Sequence, residues 1–273
     1  MNKEFSERIN FIDGYKIDEY TKLNKYTSFD YFQKNVTNKN LYFVSPESWR
    51  DPFEQLYYKA EGYEKYGYKK KKFFCMCLTE NSSENEDAAW TLYSKNSTDK
   101  VIKITFNAFE LLKQLDSRSK NENFEVYIGK VNYTFSSGQI SGLSKKSENE
   151  KVKKIYEKCF HESMTNEDFF RLMLLKRKAF QFEREVRLFL IPKDENTQTV
   201  GKIEFSNKLI SKLTLAPLQP FSVNDIRKKI YNRLQGTEEA VFKNKLKSLL
   251  PDLNDKNIQQ SGLYKGQKKI KKV

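Results

Sequence analysis

Apolar runs of strand length and stretches of helical period follow one another along this chain in no regular alternation, and that order most restricts its fold. Leu23–Tyr26 reads as a short strand. Thr27 or Ser28 then caps a helix, since a side-chain oxygen there satisfies free amides of the first turn, and Phe29, Phe32 and Val36 share its apolar face. Leu41–Val44 returns as a strand that Pro46 ends. Phe73–Leu78 is a buried strand by length and composition. Val101–Phe106 is another, followed by a helix over Ala108–Leu115 and a strand over Glu125–Phe135. Helical spacing resumes at Val152, Ile155, Tyr156 and Cys159, and again from Phe169 to Phe180. Glu185–Ile191, of alternating character, Val200–Phe205 and Leu213–Leu215 complete the strands. Such an order argues for an α+β fold rather than a doubly wound parallel sheet.

Between these elements the polar stretches read as connections. Residues 1–22 form an arm or short helix, and residues 57–72 and 136–150 form exposed loops. Asn81–Asp87 leads to a helix around Ala88–Ser94. From Asp225 the pattern is helical, through Ile226, Ile230 and Leu234 and then Ala240–Leu249. The resulting division is a core over 1–220, a helical extension over 221–262 and a basic tail over 263–273, whose five lysines face no acidic residue.

Only 38% of the residues are hydrophobic, so the 21 Phe and 16 Tyr must supply much of the core. A net charge of +14 favours a polyanionic partner, although a general lysine bias explains it equally. The chain starts without the apolar run of a signal peptide and has no span of roughly 18 apolar residues, so a soluble, cytoplasmic protein without membrane partners is expected. Three cysteines without paired spacing argue against a disulfide framework.

Several chemistries are excluded by what is missing. No glycine-rich dinucleotide fingerprint follows a strand, and no phosphate-binding loop of the nucleotide triphosphatases is present. His161 is the single histidine, which removes the two-histidine zinc helix and leaves His161 as a surface residue. Cys75 and Cys77 alternate with Phe74 and Met76 and read as core packing; no metal site is expected.

Three segments, in order, carry a resemblance. Leu23–Phe32 leads to Leu41–Val44, Ser45-Pro46 and Asp51-Pro52-Phe53-Glu54; Phe73–Glu80 precedes Trp90, Tyr93 and Val101–Phe106; Lys176 and Phe182 precede Glu183-Arg184-Glu185-Val186-Arg187. Over roughly residues 22–220 the chain resembles the bacterial domain-of-unknown-function family 2971. That family is in turn similar to DarT-like ADP-ribosyltransferases. Two positions depart from its pattern: Arg50 stands where Asn is usual before Asp-Pro-Phe, and Val186 replaces the Trp of Glu-Trp-Arg. The resemblance implies an ADP-ribosyltransferase-like mixed sheet core and an NAD-dependent transferase, a toxin or phage-defence effector. Its acceptor would be a nucleic acid, RNA before DNA, and an antitoxin or chaperone would be its protein partner.

On that reading Lys25, Tyr26 and Thr27 bind NAD, with Lys25 in place of the related enzymes' histidine. Tyr93 stacks on nicotinamide, with Tyr26 and Trp90 as further candidates, although Trp90 and Tyr93, one helical turn apart, taken alone fit core packing. Ser45 meets a ribose or amide, and Arg50 neutralises the pyrophosphate. Glu183 and Glu185, two apart on one strand face, stabilise the oxocarbenium-like transition state. Taken alone, those two glutamates fit a solvated strand face with Arg184 and Arg187 at least as well. Asp51 and Glu54 fix a turn, with Glu54 capping a helix or pairing with a lysine. Lys69, Lys70, Lys71 and Lys72, interleaved with aromatics from Tyr63 to Phe74, are the candidate hold on a single-stranded acceptor. Two other functions share these residues: a non-catalytic nucleic-acid-binding protein of the same fold, and a metal-dependent nuclease.

Overall fold

A computed structural model describes residues 4–49, 51–80, 89–90, 101–142, 150–193, 201–216, 240–241, 243–251 and 257–260. Its strands are β1 (Ile9–Phe11), β2 (Lys22–Ser28), β3 (Asn40–Tyr42), β4 (Phe74–Glu80), β5 (Val101–Asn107), β6 (Phe124–Lys130), β7 (Asn132–Phe135), β8 (Leu175–Arg177), β9 (Glu185–Pro192), β10 (Lys202–Glu204), β11 (Ile210–Leu215) and β12 (Ile258–Gln260). The longer helices are α1 (Phe29–Thr37), α2 (Pro52–Lys59), α3 (Ala108–Glu122), α4 (Ser137–Gly142), α5 (Glu150–Cys159) and α6 (Asn166–Met173). The fold is therefore mixed α+β. The chain divides into two compact units, Met1–Leu23 with Leu41–Asn81 and Ala108–Ile203, and Asn24–Asn40 with Ser82–Asn107 and Glu204–Val273.

In the first unit the strand order is β1-β6-β9-β4. β9 runs antiparallel to β6, from Phe124↔Pro192 to Lys130↔Val186, and antiparallel to β4, from Phe74↔Leu190 to Thr79↔Glu185. β1 pairs parallel with β6. Every residue of β9 from Glu185 to Ile191 is buried. The alternating character expected of this strand is thus corrected: it is covered on both faces, and such strands read as nearly continuous apolar runs. One covering layer is aromatic. Phe170 stacks on Phe189 with ring centroids 4.5 Å apart, and Phe73 meets Phe170 edge-on at 5.1 Å. α6 carries Phe170 and starts with a reciprocal cap: the Thr165 hydroxyl accepts from the Asp168 amide, while the Asp168 carboxylate accepts from the Thr165 amide. The core of this unit is thus built from aromatics, as the composition demanded.

In the second unit the strand order is β2-β5-β11-β12. β5 and β11 are antiparallel, and β12 is parallel to β11. Ser28 caps α1 by accepting from the Tyr31 amide at 3.3 Å. Phe29 and Phe32 are buried as the spacing indicates, whereas Val36 is half-buried and Asn35 takes the third inward position. Residues 240–241 and 243–249 are helical.

The structure departs from the sequence reading in five further places. Ile9–Phe11 is a sheet strand rather than part of an arm or helix. Residues 57–72 are not a loop: they contain the end of α2 and a 3-10 turn over Tyr63–Tyr66, with Tyr57, Tyr63 and Tyr68 buried. Glu125–Phe135 splits into β6 and β7, which belong to different sheets. The loop expected over 136–150 includes α4, where Ile140 is buried. The helix expected over Phe169–Phe180 stops at Met173 and is followed by β8 and a 3-10 turn over Lys178–Glu183. Asn81–Asp87, most of Ala88–Ser94, the helical stretch from Asp225 to Leu234, the boundaries at 220 and 262 and the basic tail lie outside the described residues.

Gly129 on β6 faces Leu174 and Ile12 closely enough to exclude a methyl group. A Cβ there would lie 2.5 Å from Leu174 Cδ1 and 3.0 Å from Ile12 Cβ. Gly129→Ala is expected to cost about 1–3 kcal/mol by overpacking. Urea unfolding checks this, and an unchanged midpoint would contradict the packing described.

Candidate functional site

The first unit brings five charged side chains together below its surface. β9 places Glu185 and Arg187 on the same face because side chains two apart on a strand point the same way. β8 contributes Lys176, and α2 contributes Glu54. Glu183 comes from the 3-10 turn ahead of β9, and Arg184 between the two glutamates is left-handed, with φ 44°. Asp51 anchors α2 by accepting from the Phe53 amide at 3.0 Å. The same carboxylate holds Arg177, whose guanidinium lies over the rings of Phe53 and Phe180, 4.9 and 5.0 Å from their centroids.

The ammonium of Lys176 is shared by three carboxylates. Its Nζ lies 2.5 Å from Glu183 Oε2, 3.0 Å from Glu54 Oε1 and 3.1 Å from Glu185 Oε2. Arg187 donates through Nε to Glu185 Oε1 and through Nη2 to Glu185 Oε2, both at 3.1 Å. Arg187 also bonds Glu54 and donates to the Met173 carbonyl at 2.5 Å, and its guanidinium lies 4.4 Å from the Trp49 ring. The backbone N–H of Glu185 donates to the Tyr133 hydroxyl at 2.9 Å. Arg187 is 1% exposed, Glu185 3%, Glu183 7% and Lys176 8%.

Three carboxylates face two cations, so one negative charge is not compensated within the cluster. Two of the three glutamates on Lys176, Glu183 and Glu185, respond in opposite directions. Burial pushes the Glu183 carboxyl up, against the pull of Lys176 and with a push from Glu185. Burial also opposes ionisation of Glu185, but Arg187 and Lys176 outweigh it and hold the group at about 2. Lys176 is raised, because Glu185 and Glu54 overcome the cost of burying the ammonium. Cys77, opposite Arg187 in the register, has its thiol pushed well up by its hydrogen bond with Cys75 and by burial, so it remains protonated.

The expected site residues are not all at this cluster. Glu183 and Glu185 do converge, buried and ion-paired rather than on a solvated strand face. Glu54 does pair with a lysine, Lys176. Ser45 is half-buried and caps a 3-10 turn, accepting from the Glu47 amide at 3.4 Å. Lys25, Tyr26 and Thr27 lie on β2 in the second unit, as does Trp90 in its helical pair, and the Tyr26 and Trp90 rings meet edge-on at 4.9 Å. Arg50 and Tyr93 lie outside the described residues. Lys69, Lys71 and Lys72 are exposed, while Lys70 donates to the carbonyls of Tyr58 at 2.7 Å and Ala60 at 3.2 Å. Of the aromatics interleaved with lysines, Tyr63, Tyr68 and Phe73 are core residues and not free to stack on bases, whereas Tyr66 and Phe74 are half-buried. The stacking reading is corrected for those three rings, and Lys69, Lys71 and Lys72 present exposed positive charge. His161 is a surface residue, 3.1 Å from the Asp168 carboxylate.

Tyr133 carries no sequence signal for the cluster, and Arg187 pairs with Glu185 in a buried setting rather than on the solvated face the sequence suggests. The shared parity of Glu185 and Arg187 was visible, but nothing local marks that face as buried. Among the described residues no group of three or more His, Cys, Asp or Glu is arranged to hold a metal. Comparisons with family models, with characterised proteins and with solved structures find no match to this chain.

Two stability measurements check this electrostatic arrangement. Arg187→Met should destabilise the fold by about 3–5 kcal/mol, because it leaves buried carboxylates without their partner. Glu183→Gln should behave oppositely. Its carboxyl titrates higher folded than unfolded, so the folded state binds the extra proton and its stability declines as pH rises through the folded value. The amide variant should therefore be more stable than wild type at pH 7, with the gain shrinking toward pH 4. Glu185 has the reverse linkage, its contribution present above 4.5 and lost as pH falls through about 2. Denaturant titrations across this range check both signs.

Proposed function

We propose that this chain is an NAD-dependent ADP-ribosyltransferase acting on a nucleic acid, RNA before DNA, with Glu183 as its reacting carboxylate. The observation carrying this reading is the pair of glutamates on one ammonium, with one carboxyl pushed up and the other held at about 2. Neighbouring carboxyls driven apart in this way commonly divide acid–base and electrostatic work. Glu185 is fixed by Arg187 and Lys176 and serves to position the cluster. Glu183 is bound by Lys176 and carries the surplus negative charge.

In the reaction the bond between ribose C1′ and the nicotinamide nitrogen breaks, and nicotinamide leaves with the bonding pair. Positive charge then develops on the ribose ring. A carboxylate that accepts from a ribose hydroxyl opposes that charge. An acceptor oxygen or nitrogen forms the new bond to C1′ and loses its proton, for which a carboxyl titrating above the usual range is a suitable base. The resemblance assigns donor contacts to Lys25, Tyr26, Thr27, Ser45, Arg50, Trp90 and Tyr93. Lys69, Lys71 and Lys72 supply exposed positive charge for a polyanionic acceptor. A role as toxin or phage-defence effector, with an antitoxin or chaperone partner, follows from the same resemblance.

A second reading draws on the same geometry. Lys176 and Arg187 engage all three carboxylates, as they would if the cluster served the fold alone and the protein bound nucleic acid without catalysis. A nuclease needs carboxylates available to a metal ion, which this pairing does not favour.

Labelled NAD incubated with RNA, single-stranded DNA or extract protein separates these readings. Transfer of label to RNA, reduced about 10²–10⁴-fold in Glu183→Gln, is the expected result. Because that variant is expected to remain folded, lost activity would report chemistry. Nicotinamide release without transfer would make the protein a hydrolase. No NAD turnover by folded wild type would overturn the proposal in favour of the binding protein. In either case, replacing Lys69, Lys71 and Lys72 by Ala should weaken RNA binding and lower its salt dependence by up to about three counterions.

A further inference from the structure

One face of the second unit's sheet is polar and buried. On β5 and β11 the register sets Lys103 opposite Thr214, and the Ala216 amide donates to the Val101 carbonyl one step further along. β2 lies beside β5, and two contacts fix which of its side chains share this face. The Thr105 hydroxyl donates to Asn24 Oδ1 at 2.8 Å, and Lys103 Nζ lies 6.0 Å from the Tyr26 ring. Trp90 packs on Tyr26 and Val101, with Ala216 against the same cluster. An indole thus lies beside the Lys103–Thr214 pair.

Two polar atoms there have no hydrogen-bond partner among the described residues: the Trp90 indole nitrogen and the Thr214 hydroxyl. Trp90 is 5% exposed and Thr214 3%. A buried polar group left without a partner is costly, so such atoms call for a ligand or a function. The indole nitrogen can only donate, and the hydroxyl can donate. Beside them lies a lysine that is itself 8% exposed. Two free donors beside an ammonium, in a site of low exposure, select for oxygen acceptors carrying negative charge.

We infer that this face is an oxyanion site, with Trp90 Nε1, the Thr214 hydroxyl and Lys103 receiving phosphate oxygens of a nucleotide diphosphate. It extends the donor-binding reading of Tyr26 and Trp90, and rests on that reading only in taking a nucleotide as the source of the anion. Val101, Ala216 and the Tyr26 ring form its apolar wall and limit competition from water. Lys103 and Thr214 enter as new binding residues, neither belonging to the motif segments of the resemblance that were assigned a ligand.

The chain has two tryptophans, so its indole N–H resonances report the site directly. Inorganic pyrophosphate, ADP and NAD are titrated separately into the full chain, with sodium sulfate at matched ionic strength. The Trp90 resonance should shift and saturate with pyrophosphate and ADP, while that of Trp49 in the first unit stays fixed. Thr214→Val should weaken ADP binding about tenfold, the size of one lost hydrogen bond to a charged group. The same variant should raise Tm by roughly 2–4 °C, because it removes a buried hydroxyl without a partner. Weaker binding in a more stable protein separates a binding role from a structural one. A Trp90 signal unmoved by pyrophosphate and ADP, or moved equally in Thr214→Val, would overturn the inference. Pyrophosphate binding without NAD turnover would leave the site standing and remove the transferase reading. NAD turnover with no effect of Thr214→Val would do the reverse.

Discussion

The buried guanidinium of Arg187 is the constraint to which much of the first unit answers. A cation almost without solvent in the middle of a sheet is tolerable only where each of its nitrogens finds a partner. Arg187 therefore recruits Glu185 from its own strand, Glu54 from α2, the Met173 carbonyl from the end of α6 and the face of the Trp49 ring. Each contact fixes a separate piece of chain. The end of α6 is held where β8 can follow, and β8 then delivers Lys176 to the same carboxylates. The charged centre and the aromatic layer of α6 are consequently positioned by one helix.

Such a cluster is a poor device for stability alone. Replacing buried ion pairs by well-packed apolar side chains is often neutral or favourable, so the return on five buried charges lies in specificity or function. The charge imbalance strengthens this point. A cluster serving the fold would be most comfortable with equal numbers of each sign, whereas this one holds a third carboxylate and pushes Glu183 upward. The second unit shows a related cost in neutral groups, at Trp90 and Thr214.

How far the sequence disclosed this arrangement depended on the range of the interactions concerned. β2, the Ser28 cap and α1 are local: a capping hydroxyl and helical spacing suffice, and all were legible. β4 and β5 were equally plain from apolar runs. What escaped was set by distant partners. Ile9–Phe11 becomes a strand because β6, more than a hundred residues later, offers it an edge. The tyrosines of residues 57–72 look like surface residues among lysines, yet Phe169 of α6 packs against Tyr63 and Tyr68. β8 is three residues long and owes its conformation to β7. At the charged cluster, the glutamates and the pairing of Glu54 with a lysine could be read from residue types, but the burial of Arg187 could not. An arginine on an otherwise apolar strand is ambiguous until the other face of the sheet is known.

The backbone between the two glutamates shows why residue spacing alone misdescribes them. Had β9 continued back through Arg184, both side chains would have left one strand on one face, with similar surroundings and mutual repulsion. Arg184 instead adopts a left-handed conformation, uncommon for a residue with a side chain, and the strand begins only at Glu185. Glu183 then approaches Lys176 from a turn, while Glu185 approaches it from a strand that also holds Arg187. The shared ammonium keeps the carboxylates close, and Arg187 touches only the second. With that asymmetry of partners, Arg187 and Lys176 hold one of two chemically identical side chains at about 2 against burial, while burial pushes the other upward.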